Sequence, residues 1–131
     1  MSCGKESYSL GKLGEEFVAG YIKQKGYFIA RRNYRSSRGE IDIIAENAEY
    51  VAFIEVKLRS KNAGYFPREA ITKDKKRRLV HAARDYMYKS HSCLIARFDI
   101  AEVILNDDTD VKNADLNYFE NAFEVGPHEF Y

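Results

Sequence analysis

The segment Tyr50–Leu58, YVAFIEVKL, limits the possible folds more than any other part of this chain. A strand with one wet face alternates apolar and polar residues. This one does not: Val51 and Phe53 fall on one face, and Ala52, Ile54 and Val56 on the other. A strand that is apolar on both faces belongs in the middle of a sheet covered on both sides. Its charged residues, Glu55 and Lys57, come only towards its end.

The flanking segments supply the cover. Between Tyr8 and Lys25, Leu10, Leu13, Phe17, Val18, Tyr21 and Ile22 recur at helical spacing, and Gly26 follows as a stop. Tyr27–Tyr34 is rich in aromatic and β-branched residues and reads as a strand, followed by a turn at residues 36–39. Glu40–Ala45 is a second strand, joined to Tyr50–Leu58 by a tight turn near Asn47–Glu49. Lys61–Phe66 reads as a loop, and Pro67 suits the first turn of a helix running to about Lys89. Leu94–Leu105 is a fourth strand, Asn106–Asp115 an acidic loop and Leu116–Val125 a last strand. The three early strands form an antiparallel meander, and the long helix allows a crossover that sets the fourth strand parallel to the third. The expected fold is therefore α/β: a three-layer α/β/α sandwich with an αβββαβ core and a mixed central sheet.

A length of 131 residues suits one domain, with a core over about residues 8–105 and an acidic extension over 106–131. No apolar run approaches the roughly 20 residues that span a bilayer, and Met1–Leu13 lacks the apolar stretch of a signal peptide. Cys3 and Cys93 are expected to be free thiols in a reducing cytoplasm. His81, His91 and His128 are too scattered for a zinc cluster.

The turn between the second and third strands sets a register. If it is centred between Ala48 and Glu49, Asp42 stands opposite Glu55, and Glu40 opposite Lys57. Opposed residues in an antiparallel pair share a face, so Asp42, Glu55 and Lys57 gather at the charged end of an otherwise apolar surface. Two opposed carboxylates repel and are costly to bury. A divalent cation resolves that conflict, and carboxylate, water and phosphate oxygens are the ligands Mg²⁺ prefers. A lysine beside it can position an attacking water or stabilise charge developing on phosphate. The competing arrangement is a Glu40–Lys57 ion pair with Asp42 at a frayed strand end.

These residues resemble a known signature. Gly39-Glu40-Ile41-Asp42 followed by Glu55-Val56-Lys57 is similar to the motif of PD-(D/E)XK nucleases, with Ile41 in place of the proline. More of the chain resembles the bacterial YraN-like proteins of that superfamily. The matching stretches are residues 11–15, 32–35, 39–45, 53–59 except Leu58, 75–79 and 97–99. The branch is similar to archaeal Holliday-junction resolvases, which bind metal and cut branched DNA, usually as homodimers. The resemblance implies a restriction-endonuclease-like fold, Asp42 and Glu55 as metal ligands and Lys57 as the catalytic lysine. It also implies that Glu15 completes the metal site. On the residues alone, Glu15 lies at the border of the first helix's apolar stripe and Glu16 on the opposite flank.

The net charge of +1 conceals a split along the chain. Residues 57–97 carry 12 Lys/Arg against 3 Asp/Glu, a surplus of +9, whereas residues 98–131 carry 1 against 9, a deficit of −8. Lys73, Lys75, Lys76, Arg77 and Arg78 open the long helix, and Arg38 lies in the turn before Asp42. Basic side chains around an acidic metal site suit a phosphodiester, and Arg38, Lys75 and Arg78 are the expected nucleic-acid contacts. Arg97 and Asp99 are expected to be structural. Of the aromatics, most are expected in the core or sheet, and Tyr65-Phe66 is the candidate stacking pair. Three functions follow: a Mg²⁺- or Mn²⁺-dependent nuclease acting on DNA, branched DNA included; a nucleic-acid-binding module without turnover; or an interaction protein whose charged strand ends form ion pairs only.

Overall fold

The computed structural model describes residues 9–63, 72–107 and 109–126. Helix α1 (Leu10–Gln24) is capped by Ser9, whose hydroxyl accepts from the Lys12 N–H at 3.3 Å. It ends where Gly26 takes a φ of +93°, a conformation open to glycine at little cost. Strands β1 (Phe28–Arg35), β2 (Glu40–Glu46) and β3 (Tyr50–Ser60) follow, then a short 3₁₀ turn at Lys61–Ala63. Helix α2 (Lys73–Ser90) leads into β4 (Ile95–Leu105) and β5 (Asp115–Phe119). No helix among the described residues is long and apolar enough to cross a membrane.

The strands form one sheet in the order β1-β2-β3-β4-β5. β3 pairs antiparallel with β2 and parallel with β4, so the sheet is mixed and β3 is central, as its two apolar faces required. Val51, Ala52, Phe53, Ile54 and Glu55 are all buried. On one face Val51, Phe53 and Ile44 pack against Leu79, Ala82, Ala83 and Tyr86 of α2. On the other, Ala52, Ile54, Ile43 and Ala45 pack against Val18, Ala19 and Ile22 of α1. Two hydrophobic cores flank one sheet, which is the expected three-layer α/β sandwich with its αβββαβ order.

Several boundaries differ from the sequence reading, and three of the differences have an evident cause. α2 starts at Lys73, not near Pro67: Thr72 is extended, and its hydroxyl caps the helix by accepting from the Lys75 N–H at 3.1 Å. Pro67 itself and the Tyr65-Phe66 pair lie outside the described residues. The last strand ends at Phe119 and does not continue to Val125. The chain turns there because Asn121 adopts a φ of +51° and donates its N–H to the buried Asp99 carboxylate at 2.9 Å. β3 runs two residues past Leu58, since its pairing with β4 continues to Ser60↔Leu105.

One close approach ties the β1–β2 turn to α2. A Cβ on Gly39 would lie 2.2 Å from the Arg78 carbonyl oxygen and 2.8 Å from its carbon, so this turn rests on helix backbone. At Gly14 the obstacle is softer: the end of the Leu58 side chain, 2.7 Å away. Gly39→Ala is therefore expected to destabilise the fold by about 1–3 kcal/mol, the usual cost of overpacking, and Gly14→Ala by less. Urea denaturation of both variants checks this, and a Gly39→Ala protein as stable as wild type would contradict the contact.

Candidate functional site

The β2–β3 ladder has the register derived from the turn: Ile43↔Ile54, Ile44↔Phe53, Ala45↔Ala52 and Glu46↔Val51. It ends at Ile43↔Ile54, one step before Asp42 and Glu55. There the Asp42 side chain takes over from the backbone, and its Oδ2 accepts from the Val56 N–H at 2.8 Å. Beyond this bond the two strands are no longer paired. No Glu40–Lys57 ion pair forms among the described residues, because the ladder never reaches that position.

β2 turns over at the same place. In a regular strand, residues two apart share a face. Ile41, however, packs in the core beneath α2, and Ile43 in the core beneath α1. Across the β1–β2 ladder, Asn33 stands between the pairs Arg32↔Ile43 and Tyr34↔Ile41, opposite Asp42, with a φ of +52°. Asparagine tolerates this left-handed conformation better than most residues. Oriented to satisfy both neighbours, its amide donates to Glu15 Oε1 at 3.2 Å and accepts from Lys12 Nζ at 2.8 Å. Asn33 thus links the strand that faces Asp42 to the glutamate on α1. Sequence reasoning assigned it no role, although Asn33 lies in the matching stretch 32–35 and stands alone amid strand-forming residues.

Glu15, Asp42 and Glu55 line one pocket of about 570 Å³. Arg38, Lys75 and Arg78 line it too, together with the exposed Glu40. Glu16 points elsewhere and pairs with Arg32 at 3.7 Å. Lys75 Nζ reaches Glu55 Oε2 at 2.7 Å, and this hydrogen bond raises the lysine's pKa. Arg78 is paired with Asp74 at 2.7 Å, one turn back on its own helix. Lys57 is half-buried, two residues from Glu55 on a regular strand and hence on the same face. It does not line the pocket, and its ammonium has no ion pair among the described residues. Arg97 and Asp99 are apart from this pocket and pair with each other, Arg97 Nη2 to Asp99 Oδ2 at 2.9 Å. The Asp99 carboxylate also accepts from the Tyr118 hydroxyl at 2.6 Å, and Arg97 stacks over Tyr50.

Asp42 is the electrostatic focus. Burial, then the nearby Glu55 charge, push its pKa from 3.8 up to about 7, opposed by the Val56 N–H. Its ionised form would be favoured by any positive charge brought near it. Among the described residues, no group of three or more His, Cys, Asp or Glu is arranged as a complete metal shell. The three-carboxylate set expected from the sequence shares a pocket without closing into such a cage, since Lys75 already holds Glu55 and Asn33 holds Glu15. One buried and one half-buried carboxylate on a pocket of this size still fit Mg²⁺, which commonly keeps several waters and takes only one or two carboxylates.

The raised pKa carries a stability prediction. A folded-state pKa above the unfolded value means that the native protein binds this proton more tightly. The ionised carboxylate therefore costs stability, increasingly as pH rises from about 4 to about 7. Asp42→Asn keeps an acceptor for the Val56 N–H and removes the charge. It is expected to stabilise the metal-free protein at pH 8 by on the order of 2–4 kcal/mol, with the gain vanishing below pH 4. Thermal melts across pH 3.5–8 measure it, and a gain independent of pH would show that charge is not the cause.

Comparison with known proteins agrees with this layout in extent. Residues 14–103, which contain every pocket residue named above, match the model of "Uncharacterised protein family UPF0102". The chain is 41% identical over 125 residues to a UPF0102 protein of Clostridium botulinum, covering 94% of this chain and 98% of that one. It is 41% identical over 116 residues to a UPF0102 protein of Clostridium acetobutylicum, covering 88% and 93%. A UPF0102 protein of Clostridium perfringens is 40% identical over 123 residues, covering 92% and 98%. With both the family model and near-full-length relatives matched, this chain belongs to the UPF0102 family.

Proposed function

We propose that this protein is a Mg²⁺- or Mn²⁺-dependent nuclease of the PD-(D/E)XK type that hydrolyses phosphodiester bonds in DNA. The observation that carries the reading is the end of the β2–β3 ladder. There Asp42 and Glu55 face one pocket with Arg38, Lys75 and Arg78 around it. Asp42 and Glu55 would hold the cation, with Glu15 behind them. When bound, it would supply Lewis-acid polarisation of the phosphate and a nucleophile at neutral pH. Arg38, Lys75 and Arg78 draw the phosphate backbone to the pocket. Lys57 shares the Glu55 face but lies outside the pocket lining, so its side chain would have to turn in towards bound phosphate to orient water or to stabilise developing charge.

A second reading has its own observation. Lys75 neutralises Glu55 at 2.7 Å, so a lysine already supplies part of the positive charge that a cation would bring. A module that binds nucleic acid through this basic rim, without turnover, has no further need of metal.

The test is Mn²⁺-dependent cutting of a labelled four-way junction, a flap and a plain duplex, alongside calorimetric titration of Mn²⁺. In Lys57→Ala, cleavage is expected to fall at least about 100-fold, the scale of losing one transition-state contact, with Mn²⁺ affinity nearly unchanged. Glu55→Gln should lose both. DNA and Mn²⁺ binding by wild type without any cleavage would favour the binding module, and no Mn²⁺ binding would end the metal-dependent reading.

The basic rim is tested separately by salt. DNA affinity should fall steeply between about 50 and 200 mM salt, and Lys75→Ala and Arg78→Ala should each reduce the slope by about 1. Affinity unaffected by salt would mean that these side chains contact no phosphate.

A further inference from the structure

We propose that the cleft beside the carboxylate pocket is a subsite for an unpaired nucleotide. In it, Arg38 and Arg84 hold the phosphate and Tyr88 stacks the base. The proposal rests on the reading that the carboxylate pocket takes nucleic acid.

The cleft lies between the turn after β1 and the C-terminal half of α2. Its volume of about 750 Å³ is within the roughly 300–1,000 Å³ of sites that enclose small organic ligands. Ser37 and Arg38 line both this cleft and the carboxylate pocket, so the two adjoin. On the helix side the walls are His81, Arg84, Asp85 and Tyr88, the last three spaced three, four and seven residues from His81 and hence on one face. Arg38 Nη1 lies 3.4 Å from His81 Nε2, which sets the guanidinium between the two spaces.

The charge balance in the cleft favours an anion. Its one carboxylate among the described residues, Asp85, is already engaged: it accepts from the Tyr34 hydroxyl at 2.5 Å and pairs with Lys89 at 3.3 Å. Arg84 is exposed and has no ion pair among the described residues, and Arg38 is exposed at the entrance. Two guanidinium groups are thus available to phosphate oxygens.

Tyr88 is the unusual member. Its relative exposure is 81%, the highest among the exposed large hydrophobic residues Phe28, Tyr88 and Ile95. It is an exception to the expectation that most of the aromatics lie in the core or sheet: the α2 face that carries it turns away from the sheet. A protein-docking surface would gather apolar neighbours into a patch. Tyr88 instead shares its cleft with Arg38, Arg84, His81, Asp85 and serines; Met87, the other apolar lining residue, is partly buried against the core, and Phe28 and Ile95 do not line it. An aromatic ring in a basic groove is what single-strand binders use, because every base offers a π-face. Within a duplex those faces are covered by neighbouring bases, so the ring selects an unpaired base.

The spacing adds a substrate preference. Arg78 borders the carboxylate pocket, and Tyr88 is ten residues further along α2, about 15 Å at 1.5 Å per residue. The favoured substrate therefore carries an unpaired stretch a few nucleotides from the phosphate in the carboxylate pocket, as at a flap or a fork.

The chain has no tryptophan, so Tyr88→Trp creates a single fluorescent reporter at an exposed position. Titration of this variant with oligothymidylate should quench the indole emission, and titration with blunt duplex should not. In parallel, Tyr88→Ala should lower the ratio of single-strand to duplex affinity about tenfold, in line with the loss of one stacked base. Tyr88→Phe, which keeps the ring, should restore that ratio. If wild type binds DNA but the indole emission of Tyr88→Trp is unquenched and Tyr88→Ala keeps the wild-type ratio, the subsite is overturned and the nuclease reading stands. If wild type binds neither single strand nor duplex, both fall together.

Discussion

Everything at the candidate site depends on one substitution of partners: the Asp42 carboxylate, in place of a backbone carbonyl, accepts from the Val56 N–H. A half-buried amide still needs an acceptor, and here a side chain supplies it at 2.8 Å. Because the bond is made by a side chain, β2 is released from β3 one residue later. The opening of the two strands becomes a pocket bordered by both helices. The same step holds a carboxylate where burial and Glu55 resist its ionisation. Two hydrophobic cores lock the sheet on either side, so the site is positioned by rigid elements and the electrostatic cost is borne by the whole fold.

The opposite charges of the middle and C-terminal segments also meet within the molecule. After β5, Ala122 N–H donates to the Phe98 carbonyl at 2.7 Å, and the Phe123 ring stacks on Phe98 with centroids 5.0 Å apart. Lys76 covers that ring, its Nζ 5.0 Å from the centroid, and Glu124 borders a groove with Lys73, Lys76 and Arg77. Glu120 approaches Arg97 at 3.9 Å. One side of α2 is thus screened by the acidic extension, while Lys75 and Arg78 face the carboxylates. A helix that reads as uniformly basic presents two electrostatic faces.

The parts of this arrangement that were legible came from local rules. The register of β2 on β3 follows from a short turn, whose length leaves little freedom in pairing, and Asp42 therefore had to stand beside Glu55. The double apolar face of Tyr50–Leu58 sufficed to centre β3. What escaped depends on distant partners. The left-handed Asn33 has meaning only beside Glu15 and Lys12, which reach it from α1. The end of β5 depends on Asp99, some twenty residues earlier. The exposure of Tyr88 could not be separated from the burial of Tyr86, two residues before it, without knowing which side of α2 meets the sheet.

The sequence by itself determined the layering, the order of the first four strands and the nearness of the two carboxylates. Each follows from periodicity, turn length and the cost of exposing apolar surface, which act over a few residues. Only the tertiary structure decided which charges meet. It paired Lys75 with Glu55, left Lys57 outside the pocket, and set Arg38 between two spaces. Ion pairs join side chains whose distance depends on how α1, α2 and the sheet dock. That docking is a property of packed surfaces, and no local pattern records it.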